Sequence, residues 1–177
     1  MKRNDKRTTA GNLTHFDDQG AARMVDVSSK PETLREAIAA ACVVMQPKTL
    51  CLIMDRTISK GDVFGVARVA GVMAAKKTSD LIPLCHPLHP SSVELRFDPD
   101  TAASCVHITA VVRTTGRTGA EMEAMTAASI AGLTIYDMCK AVDRTMTMND
   151  VRLLRKSGGK SGTFERLKKS PHKNGTR

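Results

Sequence analysis

The segments Val93-Glu94-Leu95-Arg96-Phe97 and Val106-His107-Ile108-Thr109-Ala110-Val111-Val112, followed by a run of helix formers over residues 118–142, decide the fold. Apolar side chains recur at every second position of both short segments, which is typical of strands with one buried face. The intervening Asp98-Pro99-Asp100 is a turn signal, so the two segments predict a hairpin with a loop somewhat longer than minimal. The run that follows predicts a long helix.

Upstream of the hairpin, the sequence predicts a short strand over residues 24–28 and then a helix that begins near Pro31. Apolar residues at helical spacing extend that helix to Met45, where Gln46-Pro47 is expected to end it. Residues 49–54 predict a strand, and residues 62–77 a helix of small residues.

Residues 82–90 are bracketed by prolines and predict an extended loop, and residues 151–155 predict a last strand. From residue 49 onward the predicted order is strand, helix, strand, strand, helix, strand, the split βαβ pattern of ferredoxin-like folds. We therefore expect an α+β fold with an antiparallel sheet packed by helices, to which an N-terminal strand and helix are added.

The composition places most of the charge outside the expected domain. The 177-residue chain has a net charge of +9, of which residues 1–10 carry +3 and residues 165–177 carry +4, so that residues 11–164 carry +2. We expect basic, disordered tails at 1–12 and 165–177 around a single domain at 13–164. A basic patch for nucleic acid is not predicted, because the charge does not lie on the fold.

The sequence contains no apolar run long enough to span a membrane and no signal peptide, which predicts a cytoplasmic protein. Five scattered cysteines without a Cys-x-x-Cys pair predict reduced, buried thiols. The sequence Cys85-His86 with His89 lacks the two separated ligand pairs of a structural zinc site, so no metal is expected there.

The long helix places charged residues in a way that constrains a shared site. Asp137 and Lys140 share a helical face at i,i+3, which alone is typical of a surface ion pair. Glu123 lies fourteen residues before Asp137, within about 40° of the same face but roughly 21 Å away at the standard rise. One small ligand cannot bridge both in one chain, so a site that uses both must draw them from different subunits.

Several short motifs follow one another along the chain. They are Leu13-Thr14-His15-Phe16, Met24-Val25-Asp26-Val27-Ser28, Lys60-Gly61-Asp62-Val63, Ala70-Gly71-Val72-Met73-Ala74-Ala75-Lys76, Asp80-Leu81-Ile82-Pro83-Leu84-Cys85-His86-Pro87-Leu88, Thr118-Gly119-Ala120-Glu121-Met122-Glu123-Ala124, Asp137-Met138-Cys139-Lys140 and Lys156-Ser157-Gly158-Gly159. Because of these motifs and their order, the chain resembles the MoaC family, the synthases of cyclic pyranopterin monophosphate in molybdenum cofactor biosynthesis. Ala120 stands where the family usually has valine.

The resemblance implies three catalytic residues, Lys60, Asp137 and Lys140. An aspartate next to ammonium groups stays ionised as a base, while a lysine can act as an acid or a phosphate ligand. The glycine-rich segment lacks the spacing of a Walker motif, and its amides with Lys156 or Lys160 could close over phosphates, although a mobile linker is an equal alternative for Lys160. The residues implied to bind substrate are Leu84, Cys85, His86, Glu121, Met122, Glu123 and Lys156, with Cys85 and Met122 as wall rather than chemistry.

The implied reaction is a lyase-type cyclisation of 3′,8-cyclo-7,8-dihydroguanosine 5′-triphosphate with loss of pyrophosphate. A radical enzyme would supply the substrate, and the synthase would be a homo-oligomer, a hexamer built as a trimer of dimers. No cofactor is expected, although Mg²⁺ could accompany the triphosphate. The alternative is a non-catalytic ferredoxin-like module that binds nucleic acid, which predicts exposed aromatic side chains on the sheet.

Overall fold

A computed structural model describes residues 20–167 of the chain. Within this range, five strands form one antiparallel sheet in the order β2-β3-β1-β4-β5, and four helices accompany it. The elements are β1 (Thr33–Val44), α1 (Pro47–Met54), α2 (Val63–Lys76), α3 (Thr78–Leu81), β2 (Ser92–Asp100), β3 (Cys105–Gly116), α4 (Glu121–Cys139), β4 (Thr147–Ser157) and β5 (Phe164–Glu165).

The helix predicted to begin at Pro31 is wrong, because Thr33–Val44 is the central strand of the sheet. The strand pairs with β3 on one side and β4 on the other. Its residues 37 and 39–43 are at most 8% exposed, so both faces are covered and the alternating pattern of a half-buried strand is lost. Tertiary pairing therefore overrides the helix propensity of its alanines. The strand predicted at 24–28 is also wrong, since these residues are irregular.

The strand predicted at 49–54 is wrong as well, because these residues lie in α1 (Pro47–Met54). Pro47 stands in the first turn of the helix, where its missing N–H is harmless. Helix and strand thus exchange places relative to the prediction. Within residues 20–167, the expected additional strand and helix before the ferredoxin-like elements are not present. The order of β2, β3, β1 and β4 with two helical crossovers is consistent with a ferredoxin-like fold.

The other predicted elements are confirmed with shifted ends. The hairpin is β2 and β3, the small-residue helix is α2, the long helix is α4 and the last predicted strand is β4. The predicted turn at Asp98-Pro99-Asp100 is wrong, because these residues continue β2 in pairing with β3 and the turn lies at residues 101–104. Pro99 is tolerated there because β2 is the edge strand. Residues 82–90 form the expected irregular loop. Neither α3 nor β5 was predicted, and both are short.

The helices α2 and α4 pack against each other and lie on the sheet, α2 on β2 and α4 on β1 and β3. Small residues at the buried positions of α4 allow this close approach. Asp143, just after α4, is 2% exposed and accepts hydrogen bonds from Gln46 N, Thr49 Oγ1 and Thr145. The buried carboxylate therefore joins the start of α1 to the end of α4.

The expected tails fall largely outside the described residues, which exclude 1–19 and 168–177. Leu13-Thr14-His15-Phe16 lies outside them too. At the other end, Glu165 pairs with Arg155 in the sheet and Arg166 N donates to Leu154 O at 2.8 Å, so ordered pairing continues past residue 164. Within residues 20–167, none of the helices combines the length and the apolar character that crossing a bilayer requires.

Candidate active site

Lys60, Asp137 and Lys140, the three residues predicted to be catalytic, lie together at the C-terminal end of α4. Lys60 Nζ lies 3.0 Å from Asp137 Oδ2 and 2.8 Å from Asp137 O, and Lys140 Nζ lies 2.7 Å from Asp137 Oδ1. Lys60 reaches this point from a turn in which Gly61 has a φ of 93° and donates to Ile58 O. Such a φ favours glycine, so this turn depends on it.

The opposite charges in this cluster favour the ionised forms of Asp137 and Lys140. The hydrogen bonds and charges of Lys140 and Lys60 lower the pKa of Asp137 from its ordinary value. Asp137 in turn raises the pKa of Lys140. Asp137 is 57% exposed, so solvent screens the pair and the contacts contribute little to stability. The arrangement presents an ionised carboxylate and two ammonium groups on an open surface.

A second cluster surrounds the N-terminal end of α4, where a cavity of about 400 Å³ opens between the helix and the 82–90 loop. Val25 and Val27 close one side of it and Lys30 reaches it. Its lining contains every predicted substrate-binding residue except Lys156, namely Leu84, Cys85, His86, Glu121, Met122 and Glu123.

His86 is held in this cavity by one hydrogen bond, with Nε2 2.7 Å from Val25 O. Because a carbonyl oxygen can only accept, Nε2 carries the proton and donates it. In the tautomer with one proton, Nδ1 is left as an acceptor for a ligand proton. The contact also connects residue 25, in the irregular N-terminal segment, to the 82–90 loop.

Glu123 is 3% exposed and lies in the first turn of α4. Burial raises its pKa to about 7, its own backbone N–H opposes the increase, and the charge of Glu121 adds to it. Protonated and ionised forms are therefore both populated near neutral pH, which suits a proton carrier. Burial, and secondly the charge of Glu123, raise the pKa of Cys85, so this thiol suits the wall of a cavity better than the role of a nucleophile.

A cationic cavity of about 380 Å³ adjoins the first and shares Lys30, Thr118, Gly119 and Glu121 with it. Lys156 Nζ lies 2.8 Å from Glu121 Oε1 at its edge. Lys160, which the sequence left open, also lines it. The remaining cations, Arg35 and Arg117, were not predicted, nor was Lys30.

Arg35 was missed because it lies in the segment predicted as a helix. As part of β1 it donates from Nε to Gly116 O at 2.9 Å and from Nη2 to Arg117 O at 3.0 Å. A correct strand assignment would have placed it beside Lys156, since Ala37 and Lys156 are register partners. The glycine-rich segment packs here as a turn between β4 and β5. At Gly158, with a φ of 94°, a Cβ would collide with Leu34 O.

The two clusters lie at opposite ends of one helix. Glu121–Cys139 is a single α-helix, so Glu123 and Asp137 are separated by roughly 21 Å of helical rise. The Glu123 cavity and the Lys60–Asp137–Lys140 cluster therefore cannot contact one small ligand together within one chain. Each contains part of the residue set that the sequence predicted for the site.

Comparison with known proteins gives a single consistent result. The MoaC family pattern matches residues 24–159. The cyclic pyranopterin monophosphate synthase of Pelotomaculum thermopropionicum is 61% identical over 154 residues, which cover 87% of this chain and 91% of that protein. The synthase of Chloroflexus aurantiacus is 60% identical over 87% of this chain and 94% of that protein. The synthase of Magnetococcus marinus is also 60% identical, over 88% of this chain and 96% of that protein. With a match over most of its length and relatives this similar, the chain belongs to the MoaC family.

Proposed function

We propose that this protein is a cyclic pyranopterin monophosphate synthase, a lyase of molybdenum cofactor biosynthesis. Its substrate would be 3′,8-cyclo-7,8-dihydroguanosine 5′-triphosphate, and pyrophosphate would leave as the cyclic phosphate forms. The observation that carries the proposal is the Lys60–Asp137–Lys140 cluster, with contacts of 2.7 to 3.0 Å, in a chain about 60% identical to proteins of that name.

The chemistry needs several proton transfers and cations for a departing pyrophosphate, and the two half-sites offer different tools for these. Asp137 is suited to accept a proton, while Lys60 and Lys140 can donate protons or bind phosphate oxygens. In the cavity, Nδ1 of His86 and the carboxyl of Glu123 can exchange protons with the purine. Lys156, with Arg35 and Arg117 next to it, supplies charge for the triphosphate.

We propose further that each complete site forms between two subunits of a homo-oligomer, a hexamer arranged as a trimer of dimers. The length of α4 supports this, because it separates Glu123 from Asp137. The surface of α2 also supports it. Val66, Val69 and Met73 are 44%, 60% and 53% exposed and recur at helical spacing, so they form an apolar stripe suited to a partner.

The remaining expectations stay part of the proposal. No cofactor is required beyond Mg²⁺ that could accompany the triphosphate, and a radical enzyme would supply the substrate. A cytoplasmic location agrees with the five free cysteines. The nucleic-acid alternative is not favoured, because the ring of Phe97 stacks on Phe64 with centroids 5.1 Å apart and is not free to stack on a base.

The test is to incubate the purified protein with the cyclic nucleoside triphosphate and to assay cyclic pyranopterin monophosphate and pyrophosphate. We expect both products in equal amounts. A variant without residues 1–12 and 168–177 should keep this turnover, whereas a nucleic-acid module would lose its ligand. Failure to form either product from intact substrate would refute the proposal.

A further inference from the structure

Three side chains that the proposed reaction does not use converge on the sheet face away from α4. Cys42 lies in β1, and Cys105 and His107 lie two residues apart in β3, with Cys42 directly opposite His107 in the register. Their ligand atoms, the two Sγ atoms and one imidazole nitrogen, all lie within 4.8 Å of one another. Two adjacent strands thus bring three metal-binding groups to one point.

The geometry of the cluster resembles part of a tetrahedral zinc shell. In such a shell, zinc lies about 2.3 Å from sulfur and about 2.0 Å from nitrogen, so a sulfur and a nitrogen are about 3.5 Å apart. Cys105 Sγ and His107 Nε2 are separated by 3.5 Å. Little side-chain movement would therefore bring this pair onto a common ion.

The surroundings provide both a route of entry and a nearby negative charge. The side chain of His107 is 54% exposed, whereas Cys42 and Cys105 are 8% and 2% exposed. Asp100 Oδ2 lies 3.9 Å from His107 Nε2. Its other oxygen accepts from the backbone N–H groups of Ala102 and Ala103, which holds the carboxylate in place. Either Asp100 or a water can complete four-coordination.

The simpler interpretation is that two buried thiols merely fill space next to a histidine. Burial, and then the hydrogen bond to Cys105, raise the pKa of Cys42 to about 12, so in the metal-free protein this thiol keeps its proton. Packing alone, however, does not require an imidazole nitrogen at bonding distance from one sulfur. A bound divalent cation would displace the thiol protons to solvent as the metal–sulfur bonds form.

We propose that Cys42, Cys105 and His107 form a binding site for a thiophilic divalent cation of the zinc type. The ion would join β1 to β3 at the end of the hairpin and act on stability, separately from the reaction at α4. This site is different from Cys85 with His86 and His89, which the sequence had suggested as the nearest metal motif.

The test uses the untagged full-length chain, reduced with a phosphine and titrated with Co²⁺ in an absorption spectrometer. We expect one equivalent of Co²⁺ per chain to produce thiolate-to-cobalt charge-transfer absorption and the visible bands of a tetrahedral ion, which Zn²⁺ then removes. His107→Ala alters an exposed side chain and should fold. It should weaken Co²⁺ binding by tenfold or more. Loss of a group that only orients a metal ligand typically lowers metal affinity about 10- to 100-fold, and loss of the ligand itself should lower it at least as much.

Two cysteine variants provide the controls, and a stability measurement gives a second readout. Cys51→Ser, at an exposed thiol on α1, should leave the cobalt spectrum unchanged, and so should Cys85→Ser, whereas Cys42→Ser should remove the charge-transfer band. Zn²⁺ should raise the Tm of the wild type but not that of His107→Ala. Absence of the band in the wild type, an unchanged Co²⁺ affinity in His107→Ala, or loss of the band in Cys85→Ser would overturn the proposal.

Discussion

Replacing Glu123 by glutamine should remove most of the pH dependence of stability that arises in the cavity. The wild-type carboxyl has a folded pKa of about 7 against an ordinary value of 4.5. Between these values the folded protein holds a proton that the unfolded chain has released, so stability falls as the pH rises through this window. The proton held by Glu123 contributes about 3 kcal/mol to the free energy of unfolding below pH 4.5, and this contribution is lost above pH 7.

The assay is urea unfolding at pH 5 and pH 8 at one fixed protomer concentration, because association also contributes to stability. The wild type should lose about 2.5 kcal/mol of stability between pH 5 and pH 8 that Glu123→Gln does not lose, since the amide carries no charge to bury. Glu121→Gln, in the same turn but paired with Lys156, is the matched control. It should keep most of the wild-type pH dependence, because burial is the largest cause of the raised pKa of Glu123 and the charge of Glu121 is the smallest. An equal pH dependence in wild type and Glu123→Gln would refute the reasoning.

Three further substitutions test other parts of the account. Asp137→Asn should abolish turnover with an unchanged unfolding midpoint, because an amide keeps the shape but accepts no proton; near-normal product formation would contradict this. Lys60→Ala should stop product formation while calorimetry still detects substrate binding, and normal turnover would return Lys60 to an ordinary surface role. Asp143→Ala should lower the unfolding free energy by about 2 to 4 kcal/mol, because a buried carboxylate with four hydrogen bonds is lost; a loss below about 0.5 kcal/mol would contradict it.

The elements with one solvent face could be predicted from the sequence, and the elements that depend on distant partners could not. β2, β3 and α4 follow their expected patterns because local periodicity matches one buried face. β1 lies between two neighbouring strands and is covered on both faces, so its small apolar residues resemble a helix until β3 and β4 are known. α1 depends on Asp143, more than ninety residues away, which accepts from Gln46 N at its start.

Some residues of the candidate site could also be predicted from the sequence, and others could not. Family motifs identified Lys60, Asp137 and Lys140, and the structure brings them together although 77 residues separate Lys60 from Asp137. Arg35 and Arg117 were not predicted as site residues, because their positions depend on the strand register between β1 and β3. The raised pKa of Glu123 also could not be predicted, since it comes from burial by the folded chain.

Mixing two inactive variants tests the shared site most directly. Glu123→Ala and Asp137→Asn subunits would be unfolded together, refolded, and shown by mass to form oligomers that contain both chains. If each site draws Glu123 from one subunit and Asp137 from its neighbour, some interfaces combine both intact residues, and a fraction of the activity returns. If both variants fold, mixed oligomers form and no activity returns at any mixing ratio, then the two ends of α4 do not serve one site.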